Sequence, residues 1–140
     1  MKVLIVDTSI QIVERLEEML SVEGSIRAIY GAVSYEKSIK LFNEIKPDLI
    51  LLDINLPDRL SFKLLKEIKN SNYKTYVIVL LYNSDLFILD QLKTAGVDFQ
   101  IDKYNDFEKL PGIIHSIASN KKKGFTDILF NIYRLKKQIK

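Results

Sequence analysis

The fold is decided by residues 46–57, KPDLILLDINLP, near the middle of the 140-residue chain. Pro47 and Asp48 end a segment of helical periodicity, and an uninterrupted apolar run follows at residues 49–52. A strand that is buried on both faces of a parallel sheet has such a continuous apolar sequence. The stretch therefore predicts a central parallel strand that ends on an acidic residue, Asp53.

On both sides of this stretch, short apolar runs alternate with helical patterns, which is typical of βα units. Five such units in order predict an α/β domain, with a doubly wound five-stranded parallel sheet and helices on both faces. The predicted strands are residues 2–6, 26–31, 49–53, 76–81 and 97–101. Helices are predicted from about Ser9 to Leu20 and from about Phe107 to Ala118, and three others start at Ser34, Ser61 and Ser84. Ser9, Ser34 and Ser84 are predicted N-caps, and Gly96 is predicted to end the fourth helix.

Three charged residues are predicted to meet at one edge of this sheet. Asp7 follows the first strand, Asp53 ends the third, and Lys103 follows the fifth. In sheets of this kind the ligand site lies at the carboxyl ends of the strands, near the point where the strand order reverses. We therefore expect a site centred on Asp53. The plainer alternative is that these are three separate solvated charges.

Composition excludes several classes of protein. The chain has no cysteine, so disulfides, thiolate catalysis and Cys-based metal sites are ruled out. Its N-terminus lacks the pattern of a signal peptide, and its apolar runs are far shorter than the ~20 residues that span a bilayer. These features predict a soluble, cytoplasmic protein without a transmembrane segment.

The C-terminal residues differ in charge from the rest of the chain. Residues 121–140 hold seven basic residues and one acid, whereas the whole chain has a net charge of +3. The domain is therefore predicted at residues 1–119, followed at 120–140 by a basic linker and an amphipathic helix. This helix is predicted to pack on the domain, to pair with a second subunit, or to meet an acidic membrane or partner. The tail is too short for a DNA-binding output domain, and no direct nucleic acid binding is expected.

The chain resembles the receiver domain of response regulators, the phosphoacceptor module of two-component signalling. The motifs that carry the resemblance are VLIVD at residues 3–7, the stretch 46–57, and Gly96 followed seven residues later by Lys103. They occur in the family's order and spacing over residues 1 to about 118. The resemblance implies a flavodoxin-like fold and a phosphoacceptor module in a phosphorelay rather than an enzyme with a separate substrate.

The resemblance also implies a role for each residue of the site. Asp53 would accept a phosphoryl group from a histidine kinase or phosphotransfer protein, and Lys103 would contact its oxygens. Mg²⁺ would be held by Asp7, Asp53 and the main-chain carbonyl of Asn55. Carboxylates and carbonyls are ligands that Mg²⁺ prefers.

Several residues depart from the family pattern. The second of two adjacent acids after the first strand is replaced by Thr8, a doubtful, uncharged Mg²⁺ ligand, so we expect weak metal binding. The Ser or Thr that usually ends the fourth strand is replaced by Leu81, which cannot donate a hydrogen bond to a phosphoryl group. Four further departures are Ser61, Tyr82, Gln100 and Tyr104. Together they predict weakened phosphorylation and loss of the usual switch.

Two other functions stay open from the residues alone. One is a phosphorylation-independent pseudo-receiver that acts as a protein-interaction module. The other is a small α/β enzyme or flavin carrier, against which stands the absence of a glycine-rich loop at residues 7–10. The apolar run at 86–89 makes the helix at 84–95 a candidate homodimer or partner surface, equally well explained by a broad core face. His115, the only histidine, is predicted to lie on a helix surface.

Overall fold

The fold is that of a computed structural model, which describes residues 1–82 and 86–119. Its strands are β1 Lys2–Val6, β2 Ala28–Ala32, β3 Leu49–Asp53, β4 Tyr76–Leu81 and β5 Phe99–Asp102. They form one parallel sheet in the order β2-β1-β3-β4-β5. The predicted cap at Ser84 and the predicted linker and helix of residues 120–140 lie outside the described residues.

The three inner strands have the predicted bounds, whereas both edge strands begin two residues later than predicted. Lys2 is paired with Ala28, and Ile78 with Phe99, at the start of each edge strand. Val97 instead donates its N–H to the carbonyl of Leu92 in the preceding helix. The first residue of an edge strand is set by where its single neighbouring strand can pair with it. This pairing register cannot be read from the sequence of the edge strand itself.

In the described part of the chain, five α-helices cover the two faces of the sheet, and serine caps begin the first two. The helices are α1 Ile10–Leu20, α2 Tyr35–Ile45, α3 Leu60–Asn70, α4 Leu86–Thr94 and α5 Leu110–Ser119. The side chain of Ser9 accepts the N–H of Ile12, and Ser34 accepts that of Lys37, which confirms both predicted caps. Among the described residues, no helix is long and apolar enough to cross a membrane.

The third and fifth helices differ slightly from their predictions, whereas the predicted end of the fourth helix at Gly96 is confirmed. α3 begins at Leu60, so Ser61 lies inside the first turn and does not cap it. Gly96 follows α4 with a φ of +83°, the left-handed conformation that favours glycine at a helix end. A short 3₁₀ turn at Phe107–Lys109 precedes α5, within what the sequence predicted as one helix.

The core consists of two apolar layers, one on each face of the sheet. Successive residues of a strand point to opposite faces. In β1, Val3 and Ile5 pack with residues of α1 and α5, whereas Leu4 and Val6 pack with residues of α2, α3 and α4. This confirms the doubly wound architecture with helices on both faces.

The strand order reverses between β1 and β3, which are parallel neighbours. Their register places Val6 opposite Leu52, so Asp7 and Asp53 come next on adjacent strands. This is the switch point at which open α/β sheets bind their ligands. The sheet thus brings the two acids together at its carboxyl edge.

Candidate functional site

Two buried carboxylates form the centre of the site. Asp7 is 1% exposed and Asp53 is 3% exposed. Each binds its own loop in the same way: Oδ1 of Asp7 accepts the N–H of Ser9 at 2.8 Å, and Oδ1 of Asp53 accepts the N–H of Asn55 at 2.9 Å. These short local turns are a common role of Asp side chains. They fix both carboxylates and leave each Oδ2 to face the site.

The ammonium group of Lys103 lies between the two carboxylates. Its Nζ is 2.5 Å from Oδ2 of Asp7 and 3.3 Å from Oδ2 of Asp53, and the residue is 3% exposed. Lys103 directly follows β5, and its backbone N–H is bonded to the carbonyl of Leu81 at the end of β4. The structure therefore brings together the three residues that the sequence predicted to meet.

The electrostatics of the trio follow from burial and mutual charge. Burial raises the pKa of Asp53 above its usual range, and the charge of Asp7 adds to this, whereas the N–H of Asn55 and the charge of Lys103 oppose it. Burial by itself lowers the pKa of Lys103, but its close contact with Asp7 and the charge of Asp53 outweigh burial and raise that pKa. The acidic neighbours thus favour the protonated form of Lys103, whereas burial makes the ionised form of Asp53 less favourable.

The carboxylates of the site are suitable ligands for a cation. Oδ2 of Asp7 is buried, and its charge is paired with the ammonium group of Lys103. Two carboxylates at one edge fit Mg²⁺, which commonly uses one or two protein acids together with phosphate. Asp7 and Asp53 are the side chains that would hold it.

The donor set is nevertheless small. In residues 1–82 and 86–119, no group of three His, Cys, Asp or Glu side chains is close enough to hold a metal ion. Thr8 is exposed beside Asp7, where the family pattern has a second acid, and Asn55 is also exposed. The metal roles of Thr8 and of the Asn55 carbonyl stay predictions.

A residue with a positioning role was not recognised from the sequence, although its departure from the family's glycine was noted. Ser61 is fully buried, and its hydroxyl donates to the main-chain carbonyl of Asp53 at 2.6 Å. The hydroxyl oxygen of Ser61 in turn accepts the N–H of Leu56 at 3.2 Å. Ser61 thus fastens the loop after β3 to the end of the strand. The residue type gave the only signal, because a serine in place of glycine adds a hydroxyl.

Two other departures lie next to the trio. Leu81 is 5% exposed at the end of β4 and puts an apolar side chain where the family has a hydroxyl. The ring of Tyr82 lies over Lys103, with Nζ 4.9 Å from the ring centroid. Gln100 is half-buried on β5 and supplies no aromatic ring.

The remaining predicted features lie away from this edge. Phe87 on α4 is 66% exposed, whereas Ile88 and Leu89 are partly buried against the core. The apolar run of this helix is therefore divided between an outer and an inner face. His115 is exposed on α5, as predicted, and its Nδ1 lies 3.5 Å from Oε1 of Glu23.

Known proteins resemble this chain over most of its length. A sequence model of the response regulator receiver domain matches residues 3–115. The transcriptional regulatory protein YdfI of Bacillus subtilis is 27% identical over 95 residues, which cover 68% of this chain and 45% of that protein. The cell cycle response regulator CtrA of Brucella ovis is 30% identical over 126 residues, covering 87% of this chain and 52% of that protein. The chain thus spans about half the length of these relatives.

A solved structure extends the likeness to three dimensions. It is the signal receiver domain of a DNA-binding response regulator from Colwellia psychrerythraea 34H, with a TM-score of 0.77. The match covers 84% of this chain and 98% of that one, at 19% identity. At this identity the likeness shows the fold alone, and it confirms the predicted flavodoxin-like architecture.

Proposed function

The chain belongs to the response regulator receiver domain family, and we propose that Asp53 accepts a phosphoryl group from a histidine kinase or phosphotransfer protein. One observation carries the proposal: two buried carboxylates share a buried ammonium group at the switch point of the sheet. Charge held in this way at the ligand-binding edge is a feature of functional sites. The family relation supplies the identity of the donor.

The transfer uses a carboxylate oxygen of Asp53 as the nucleophile. A bond forms between this oxygen and the phosphorus of a phosphohistidine, and the P–N bond breaks. The electron pair of that bond stays on the imidazole nitrogen, and Asp53 becomes an acyl phosphate. No net oxidation or reduction occurs. Hydrolysis later returns the carboxylate and releases inorganic phosphate.

Lys103 supplies the fixed positive charge for this transfer. Its ammonium group lies 3.3 Å from Asp53 and contacts Asp7, so it is held close to where the phosphoryl oxygens on Asp53 would lie. A preorganised charge at the place where negative charge collects stabilises the transition state. Mg²⁺, when bound by Asp7 and Asp53, would neutralise further charge between the carboxylate and the phosphoryl group.

The proposed phosphorylation is weaker than in receivers with the complete pattern. Thr8 leaves the cation site one charge short, and Leu81 withholds a hydrogen bond to the phosphoryl group. Such a bond to a charged group contributes ~1.5–3 kcal/mol. Leu81 and Gln100 together also lack the hydroxyl and the ring through which the usual switch operates. A cytoplasmic location stays a prediction.

The proposal is tested by the intact mass of the protein after incubation with Mg²⁺ and acetyl phosphate. We expect the mass of one added phosphoryl group in the native chain and none in Asp53→Asn, which keeps the shape of the side chain. Omitting Mg²⁺ or adding a chelator should abolish the gain.

Thr8→Asp is the matched variant that restores the missing charge. It should raise Mg²⁺ affinity by about tenfold, which corresponds to ~1.4 kcal/mol, and Thr8→Asn should not. Absence of the mass gain from the native chain and from Thr8→Asp alike, with a histidine kinase as well as with acetyl phosphate, would contradict the proposal.

A phosphorylation-independent interaction module is the second candidate function. The observation that favours it is the buried apolar side chain of Leu81 beside Lys103, in place of a phosphoryl-binding hydroxyl. Phe87, exposed on α4, is then the proposed contact for a partner or a second copy of the chain. The predicted contribution of the tail to such contacts concerns residues outside the described part of the chain.

A further inference from the structure

The trio at the sheet edge is buried although its proposed ligand must enter from that edge. Asp7, Asp53 and Lys103 are each at most 3% exposed. Charged side chains at the end of a parallel sheet are usually open to the ligand crevice. Some neighbouring group must therefore cover the site.

The inner part of the cover is the ring of Tyr82. It follows the last residue of β4, and its centroid lies 4.9 Å from Nζ of Lys103. A protonated lysine has three N–H donors and no acceptor. Within residues 1–82 and 86–119, three groups contact this ammonium: the carboxylates of Asp7 and Asp53 and the face of this ring.

The outer part of the cover is Tyr104, the residue after Lys103. Its ring lies 4.7 Å from that of Tyr82, centroid to centroid, with 34° between the ring planes. The carboxylate of Asp102 accepts the backbone N–H groups of Tyr104 and Asn105 at 2.8 and 2.9 Å, which fixes the turn that presents the ring. A side-chain hydrogen bond with Tyr104, together with burial, raises the pKa of Tyr82. The two tyrosines thus form one aromatic pair through their rings.

This arrangement has a consequence for any phosphoryl group that approaches Asp53. A phosphoryl oxygen must come within about 2.7–2.9 Å of the Lys103 nitrogen to form a charge-assisted hydrogen bond. To admit it, Lys103 must give up one of its three contacts. The contact with a ring face is weaker than those with buried carboxylates, so the ring of Tyr82 is the group that moves.

We propose that Tyr82 and Tyr104 form an aromatic lid that controls access of phosphodonors to Asp53 and Lys103. The chemical role of the lid rests on the phosphoacceptor function proposed above. The lid slows loading by small phosphodonors, because the rings must leave Lys103 before a phosphoryl oxygen can reach it. The two tyrosines are specificity-determining residues and take no part in bond formation.

The first test measures the lid without phosphate chemistry. A short pulse of acetic anhydride acetylates accessible lysines, and peptide mass spectrometry compares Lys103 with Lys69, which is 33% exposed on α3. We expect more acetylation of Lys103 relative to Lys69 in Tyr82→Ala, and a smaller increase in Tyr104→Ala. Tyr82→Phe keeps the ring and should stay close to the native chain. Tyr73→Ala, at the opposite end of the sheet, is the matched control and should change nothing.

The second test measures the rate of phosphorylation by acetyl phosphate with Mg²⁺. Loading should become roughly 2- to 30-fold faster in Tyr82→Ala, the range that corresponds to one lost contact between an ammonium group and a ring. Tyr104→Ala, whose side chain is mostly exposed, provides a variant that should fold normally. Circular dichroism melts identify any variant that does not fold.

The two tests separate the lid from the phosphoacceptor function. Unchanged acetylation of Lys103 in both folded alanine variants overturns the lid, whether or not Asp53 accepts phosphate. If no variant gains a phosphoryl group, the proposed function fails, and the acetylation result alone upholds or overturns the lid. Faster acetylation combined with unchanged loading overturns the role of the lid in phosphodonor access.

Discussion

The two ends of the sheet both carry acidic side chains, but the partners of these acids differ. At the amino end, Asp48 accepts the N–H of Lys2 at 2.7 Å and the hydroxyl of Tyr73 at 2.8 Å. Asp98 accepts the N–H of Val77 at 2.7 Å. At the carboxyl end, Asp7 and Asp53 direct their second oxygens toward one lysine. At the amino end, backbone and hydroxyl donors and the partly exposed Lys69 satisfy the acids, whereas at the carboxyl end two buried acids share one buried lysine.

The partners of an acidic side chain distinguish a structural acid from a candidate functional acid better than the direction of its pKa shift does. Burial is the largest cause of a raised pKa for Asp53 and also for Asp98. The two acids nevertheless serve different purposes. Asp98 binds the backbone of β4 and a partly exposed lysine, Lys69. Its carboxylate therefore has a structural role. Asp53 shares a buried ammonium group with a second acid, and that positive charge can also contact a phosphoryl group on Asp53.

The largest expected effect comes from removing the lysine at each end. Lys103→Met leaves two buried carboxylates without their counter-charge and should lower the free energy of unfolding by about 3–5 kcal/mol at neutral pH. Lys69→Met removes a contact of 3.4 Å with Asp98 at a partly exposed position and should cost less than ~1 kcal/mol. Urea denaturation of both variants measures the difference, and equal losses would remove the contrast between the two ends.

The next effect concerns the acids themselves and depends on pH. Asp48→Asn should cost about 1–3 kcal/mol, because an amide supplies only one acceptor for two donors. Asp53→Asn should instead stabilise the domain at neutral pH, by about 1 kcal/mol, because it removes a buried charge beside Asp7.

The sign of the pH dependence follows from the raised pKa of Asp53. A raised folded-state pKa favours the folded domain fully below the ordinary value of 3.8, and this contribution is lost as the pH rises through the folded-state pKa. The advantage of Asp53→Asn over the native chain should therefore shrink as the pH falls toward that ordinary value. Urea denaturation across the acidic range measures it, and an advantage that grows on acidification would contradict the charge assignment.

The smallest effect compares two buried hydroxyls, one at each end. Ser61 donates to Asp53 and accepts from Leu56, and Thr75 donates to the carbonyl of Pro47 at 2.7 Å. Ser61→Ala and Thr75→Val should each cost roughly 1–2 kcal/mol of stability. Only Ser61→Ala should also slow phosphorylation by acetyl phosphate, because it loosens the loop that follows Asp53. Equal phosphorylation rates in the two variants would make Ser61 a purely structural residue.

Much of the site could be predicted because it depends on the ends of strands. The strands that end in Asp53 and precede Asp7 are continuous apolar runs, and parallel strands deliver their carboxyl ends to one edge. The contacts of Ser61 and Tyr82 could not be derived in this way. Their side chains reach residues on other loops, and the distances depend on how α3, β4 and the turn after β5 pack.

The class of fold, the three inner strands and the meeting of Asp7, Asp53 and Lys103 follow from local patterns and chain order, on which periodicity and the right-handed crossover rule depend. The register of the edge strands, the buried Ser61 hydroxyl and the tyrosine pair over Lys103 are known from the three-dimensional structure. These features arise from contacts between segments distant in the chain. Such contacts depend on how distant segments pack against one another, and no local pattern of residues predicts them.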